Sequence, residues 1–163
     1  MPATSSLAPL QNKTFRAIWI ASIVSNFGGM IQAVGAGWMM TSLSDSANLV
    51  ALVQASTTLP VMVFSLISGA SADGFDRRRI MLLAQFFMIS ASACLAVFAW
   101  LDLLTPWVLL GFTFLIGCGI AFNNPASQAA VGDIVPREEV PAAVLLNSVG
   151  FNVTRSIAPA IGG

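Results

Sequence analysis

The stretch Gly69–Arg79, GASADGFDRRR, holds three arginines and two aspartates in eleven positions. The whole chain has only seven basic and seven acidic residues in 163. On either side of this stretch the sequence is almost pure hydrocarbon, so its meaning depends on the length of the runs it joins. A spanning helix needs about 20 apolar residues at ~1.5 Å each. Five runs qualify: Ala17–Met40, Leu49–Ala72, Ile80–Leu101, Trp107–Val131, and Pro141 to the last residue, Gly163. The links between them are short and rich in turn residues, which forces neighbouring helices to run antiparallel. Pro106 and Pro141 stand at or just before helix starts, where a missing N–H costs little.

Composition agrees with that reading. Hydrophobic residues make up 56% of the chain and charged residues 9%, against roughly 25% charged in a soluble domain. Mean hydropathy is +0.83. The chain is therefore expected to be an all-α integral membrane protein, multi-pass, with the lipid bilayer as its first partner. Net charge is zero, so no global field points to nucleic acid. The sequence has no His, which excludes a histidine proton relay or a His-based metal site within it. Cys94 and Cys118 lie in apolar runs and read as small hydrophobes. No paired carboxylates or metal ligands fall inside the runs, so neither an enzyme nor a metal or cofactor site is expected. Met1–Leu10 lack the basic start and short apolar core of a cleaved signal peptide.

Charge sets the orientation. Lys13 and Arg16 precede the first run, Arg77, Arg78 and Arg79 follow the second, and Arg137 follows the fourth. The links after the first and third runs hold only Asp45 and Asp102. By the positive-inside rule, residues 1–16 and the arginine link face the cytoplasm. The sequons at Asn12 and Asn152 then fall on the cytoplasmic side and within a span, so neither is read as a glycosylation site. The chain stops in APAIGG, without a polar tail, and residues 17–163 are read as an incomplete bundle belonging to a longer protein.

Small and polar residues in a span mark its packed or water-lined face. In the first run Ser22, Ser25, Gly29, Gln32 and Ala36 recur at steps of three and four, with Asn26 beside them. In the second, Gln54, Thr58, Val61, Ser65, Ser68 and Ala72 do the same. The fourth carries Gly117, Asn124 and Gln128, with Asn123 adjacent and Pro125 expected to bend the helix. The third has no continuous stripe and is expected to face lipid. Simple helix–helix contact is the competing reading for any one Ser or Gly; Gln32, Gln54 and Asn124 cost more to bury. Arg155 stands out. It lies 14 residues past Pro141, about 21 Å along a helix and beyond the middle of a ~30 Å hydrocarbon core. An intramembrane arginine marks a functional site by default, with snorkelling to the far interface as the alternative. Ser148, Asn152 and Pro159 share its face. No acidic residue lies within any run.

The opening stretch resembles the loop signature of the major facilitator superfamily, G-x-x-x-D-[RK]-x-G-[RK]-[RK], found between the second and third spans. Gly69, Asp73, Arg77 and Arg78 match in place. Gly74 departs from the usual basic residue and Asp76 from the usual glycine. The tail, NVTRSIAPAIGG, resembles the fifth-span pattern G-P-x-x-G-G of exporters, with Ala158 in place of the first glycine. Together with AFNNPASQAAVGDIVPREEVPAAVLLN upstream, it is similar to the branch that includes the enterobactin exporter. The resemblance runs from about Phe15 to Gly163. It implies the N-terminal five of twelve helices, with the C-terminal helical half as the absent partner.

The resemblance further implies a bacterial inner-membrane antiporter, coupling proton entry to export of a siderophore, drug or metabolite by alternating access. Five helices alone are expected to be inactive. Gly69, Asp73, Asp76, Arg77 and Arg78 would form a cytoplasmic latch, with Asp133 as the nearest carboxylate for an arginine; topology setting alone is the bland alternative. The transport-path candidates are Asn26, Gln32, Gln54, Thr58, Asn124, Gln128, Asn152 and Arg155. Pro159, Gly162 and Gly163 would let the fifth helix bend or seal a gate. A small efflux protein working as an oligomer and a non-transporting assembly subunit are the rival readings.

Overall fold

The computed structural model describes residues 6–162 except 75, and for residues 65–74 and 162 the course of the backbone alone. A 3-10 turn over Ala8–Gln11 leads into five α-helices: α1 Lys13–Leu43, α2 Ala47–Gly74, α3 Arg77–Trp100, α4 Pro106–Ile134 and α5 Val140–Gly162. Every apolar run of the sequence is thus a helix. Each helix begins one to four residues ahead of its apolar run.

The caps are specific. Asn12 Oδ1 accepts the N–H groups of Thr14 at 2.9 Å and Phe15 at 3.3 Å, capping α1. Asp76 is the cap of α3, where its carboxylate accepts the Arg78 N–H at 3.0 Å. Thr105 Oγ1 accepts the Val108 N–H at 3.3 Å, with Pro106 opening α4 in the first helical position. Each such side chain satisfies a donor that the first helical turn leaves without a carbonyl.

Among the described residues, four helices are long and apolar enough to cross a membrane: α1, α2 over Ala47–Phe64, α3 and α4. At 24 to 31 residues, the three fully described ones reach about 36–46 Å, more than the ~30 Å core. The protein is a multi-pass membrane protein. α5 has 23 residues but does not join that set. Asn147, Ser148, Asn152, Thr154, Arg155 and Ser156 dilute its hydropathy.

Contacts divide the chain into two compact units, residues 1–35 with 130–163 and residues 36–129. In the second unit Ala36, Met40, Val53, Leu95, Leu109 and Leu110 form the core. α3 and α4 run antiparallel there: Leu95 shares that core with Leu109, a Cβ on Gly119 would meet Ala84 and Met88, and Arg77 reaches Ala129. α2 and α4 run parallel, with Gly117 against Thr57 and Pro60 and the Phe64 and Phe122 rings 5.9 Å apart. α3 buries only Ala84, Ala91 and Leu95 and exposes Leu82, Leu83, Phe86, Phe87, Ile89 and Val97. That is the broad apolar surface expected of a lipid-facing helix.

In the first unit Phe15, Val131, Val135 and Ala143 form the core, flanked by Leu10, Trp19 and Leu146. The Trp19 indole N–H donates to the Leu146 carbonyl at 3.1 Å, and Gly150 packs on Ile23. Both ties join residues 127 apart in sequence, so α1 and α5 run parallel in one register.

Candidate functional site

The arginine link is built around the α3 cap. Asp76, which stands where the loop signature usually has glycine, holds the first turn of α3 through the Arg78 N–H. That is a local reason for a carboxylate at this place. Arg77, half-buried, donates from Nη1 to the Ala129 carbonyl near the end of α4 at 3.2 Å. Its guanidinium therefore adds a second donor to a carbonyl one turn before the last turn of α4. Arg78 is exposed. Arg79 Nε lies 3.6 Å from Asp76 Oδ2, with both side chains more than half exposed, so that pair contributes little. Gly69 and Asp73 lie outside the residues whose side chains are described. Asp133 is exposed in the last turn of α4.

The polar residues of the spans separate by depth. In the second unit Gln54 and Thr58 lie on the half of α2 nearer its start. The Thr57 and Thr58 hydroxyls both donate to the Gln54 carbonyl at 2.9 Å. Asn124 and Gln128 lie on the later half of α4. Given the parallel register of α2 and α4, the two pairs stand at different heights and do not form one cluster. All four are exposed. Asn123 is half-buried, and its Oδ1 is the one buried side-chain polar atom among the described residues without a hydrogen-bond partner.

The first unit does bring candidates to one level. The register of α1 on α5 sets Ser25 and Asn26 beside the turn that carries Asn152 and Thr154, with Arg155 just beyond. Gln32 lies further along α1, half-buried like Asn26.

α5 itself has three faces. Ala143, Gly150, Thr154 and Ala158 are buried. Val149, Val153 and Ile157 are exposed and apolar. Ser148, Asn152, Arg155 and Pro159 form the third face, exposed and polar but for the proline. Along this face each short polar side chain turns back on its own helix. Ser148 Oγ donates to the Val144 carbonyl at 3.0 Å, and Asn152 Nδ2 to the Ser148 carbonyl at 2.8 Å. Ser156 Oγ, at the edge of the face, donates to the Asn152 carbonyl at 3.0 Å.

Those bonds satisfy the neutral donors. They leave a guanidinium with five donors in a fixed fork, suited to a carboxylate or another planar acceptor. Such a face can bind and orient a solute. It offers no nucleophile–base pair, and no cluster of potential metal ligands occurs among the described residues. Pro159 falls within the last turn of α5 and Gly162 ends it; Gly163 lies outside the described residues.

Two features were not foreseen from the sequence. Asn12 caps α1 and also donates from Nδ2 to the Ile134 carbonyl at 2.9 Å. An Asn directly before a helical run was the available signal, masked by its place in a sequon. Trp19 ties α1 to α5, and no spacing rule reveals such a bond. Gly117, one of the small residues that mark the packed face of the fourth run, does pack on α2, where a Cβ would press on the Thr57 carbonyl and Pro60.

Comparison with known proteins follows the same lines. The family described as transmembrane secretion effector matches residues 4–163. The staphyloferrin A transporter of Staphylococcus aureus is 25% identical over 145 residues, covering 88% of this chain and 36% of the relative. The macrolide efflux protein A of Streptococcus pyogenes is 25% identical over 147 residues, 90% of this chain and 36% of the relative. The multidrug efflux pump Tap of Mycolicibacterium fortuitum is 30% identical over 155 residues, 90% of this chain and 37% of the relative. The chain thus spans little more than a third of the length of these relatives. No solved structure matches it significantly.

Proposed function

Since the chain belongs to the transmembrane secretion effector family, a branch of the major facilitator superfamily, we propose that it forms the N-terminal helices of a small-molecule exporter. The exporter works by alternating access, with its site near mid-membrane between two helical halves. The second half falls within the portion of the relatives that this chain does not match. The cargo is a siderophore, drug or metabolite, with Arg155 favouring an anionic or acceptor-rich one. Export is coupled to proton entry; since the apolar runs here hold no Asp or Glu, a carboxylate that carries the coupling lies in the part of the protein outside these runs. The membrane is the bacterial inner membrane, with the N-terminus and the arginine link in the cytoplasm. That link is a latch: Arg77 grips a helix end in one access state and releases it in the other.

The observation that carries this reading is the polar face of α5. Its guanidinium is exposed at the depth of Asn26, on a helix whose other two faces are packed or apolar. A charged face of this kind is costly against lipid and stable against water or an anionic solute. The test is efflux from cells carrying the complete gene, comparing wild type with Arg155→Ala and Arg155→Lys at matched membrane expression. A panel of siderophores and drugs serves as cargo. Lost export in Arg155→Ala, with part retained in Arg155→Lys, supports the reading. Unchanged export in both removes Arg155 from the path.

A further inference from the structure

α3 ends in a conformation that favours glycine, yet an aspartate occupies it. The Leu103 N–H donates to the Phe98 carbonyl at 3.0 Å and the Asp102 N–H to the Ala99 carbonyl at 3.3 Å. This pair of bonds is a Schellman closure, which requires a left-handed residue, usually glycine, just past the helix. Asp102 supplies it with φ of 54° and is the one non-glycine residue with positive φ among those described. Aspartate tolerates this region better than most residues, but not without cost. A carboxylate held where glycine would serve the backbone better calls for a second reason.

The surroundings supply one. Asp102 lines a half-open surface cavity of about 260 Å³ together with Met39, Ser42, Leu43, Ala99 and Leu104, with Asp102 and Ser42 exposed at its rim. The Ser42 hydroxyl is committed to the Met39 carbonyl at 2.9 Å. Met39, Leu43 and Leu104 pack on the core of the same unit, so one wall is fixed and apolar. The carboxylate is the only charged group in the lining. Trp38, Trp100 and Trp107, exposed by 74%, 88% and 71%, stand on the same helix ends. Tryptophans gather at the membrane–water interface, which puts the mouth of the cavity at headgroup depth. The volume is below the roughly 300–1,000 Å³ of sites for drug-sized ligands and several times the ~30 Å³ of a water. It suits a compact head group and the first carbons behind it.

We propose that this cavity binds the ammonium end of a cationic amphiphile. Asp102 is the counter-ion, and Met39, Leu43 and Leu104 lie against the first methylenes. The site belongs to the second unit and is independent of the polar face of α5. Its ligand chemistry has two sources, the ammonium of a membrane lipid and that of a soluble cationic amphiphile.

The test is saturation binding of radiolabelled dodecyltrimethylammonium to the complete gene product in nanodiscs of an uncharged glycolipid. Wild type, Asp102→Asn and Asp102→Gly are compared. Both replacements accept the left-handed conformation, so the fold persists while the charge is lost. The expected result is saturable binding by wild type, weakened about tenfold in both variants, a factor equal to ~1.4 kcal/mol. Phosphatidylethanolamine added to the nanodiscs separates the sources. Competition with the probe assigns the site to lipid; persistence of probe binding assigns it to a soluble amphiphile. Absence of saturable binding by wild type, or binding within twofold of wild type in both variants, overturns the proposal.

Discussion

Replacing Gly117 by alanine sets helix propensity against packing, and the structure says which wins. A Cβ at Gly117 would stand 2.6 Å from the Thr57 carbonyl oxygen and 3.0 Å from Pro60 Cγ, where ordinary contact begins at 3.4 Å. The shortfall against the carbonyl is 0.8 Å (3.4 less 2.6). The obstacle is backbone and cannot rotate aside, so α4 must move off α2 along the contact. Overpacking of this kind costs about 1–3 kcal/mol. Alanine returns ~1 kcal/mol over glycine inside a helix. The expected net effect of Gly117→Ala is a loss of up to about 2 kcal/mol. Gly111 is the control. It is exposed on the same helix, and a Cβ there meets nothing within 4 Å, so Gly111→Ala should gain about 1 kcal/mol. Unfolding in mixed micelles with rising dodecyl sulfate, followed by far-ultraviolet circular dichroism, compares the two. If Gly117→Ala resists dodecyl sulfate as well as Gly111→Ala, the close approach of α2 and α4 is wrong.

The same assay checks substitutions at three further positions. Asn12→Ala removes the α1 cap and the bond to the Ile134 carbonyl, and should cost about 1–2 kcal/mol. Arg77→Ala removes a charge-assisted bond to Ala129; partial exposure reduces the usual value to about 1 kcal/mol, and Arg77→Lys should recover part of it. Asp102→Gly relieves a left-handed non-glycine residue and should gain ~1 kcal/mol.

Much of the fold can be read from the sequence because the bilayer imposes one length on every span. The apolar runs give five helices, and the charged links give their antiparallel succession. α3, which lacks a continuous polar stripe in the sequence, exposes a broad apolar surface in the structure. Helix ends were less so, since Asn12, Asp76 and Thr105 are polar residues that extend the helices past the apolar runs. The loop signature pointed to Asp76 as a departure from pattern, and only the geometry shows it capping α3.

The candidate residues' arrangement was legible where they lie on one helix. Ser148, Asn152, Arg155 and Pro159 recur at helical spacing, and α5 presents them on one face. It was not legible across helices. Gln54 and Thr58 share a spacing rule with Asn124 and Gln128, yet the parallel register of α2 and α4 puts the pairs at different depths. Register depends on where Gly117 lets the backbones meet, and periodicity within one helix carries no information about that. Asp102 was counted only for its charge, because a left-handed closure is a property of the turn that forms it.

The most direct measurement is thiol labelling along α5 in intact membranes with a water-soluble, membrane-impermeant maleimide. In the product of the complete gene, the native cysteines, Cys94 and Cys118 of this chain among them, are first replaced by alanine. Single cysteines then go in at Ser148, Asn152 and Arg155 on the polar face, and at Val149 and Val153 on the apolar one. If α5 lines a solute path, the first three label and the last two do not. Equal labelling of both sets, or none of the polar set, would contradict the exporter reading of this helix.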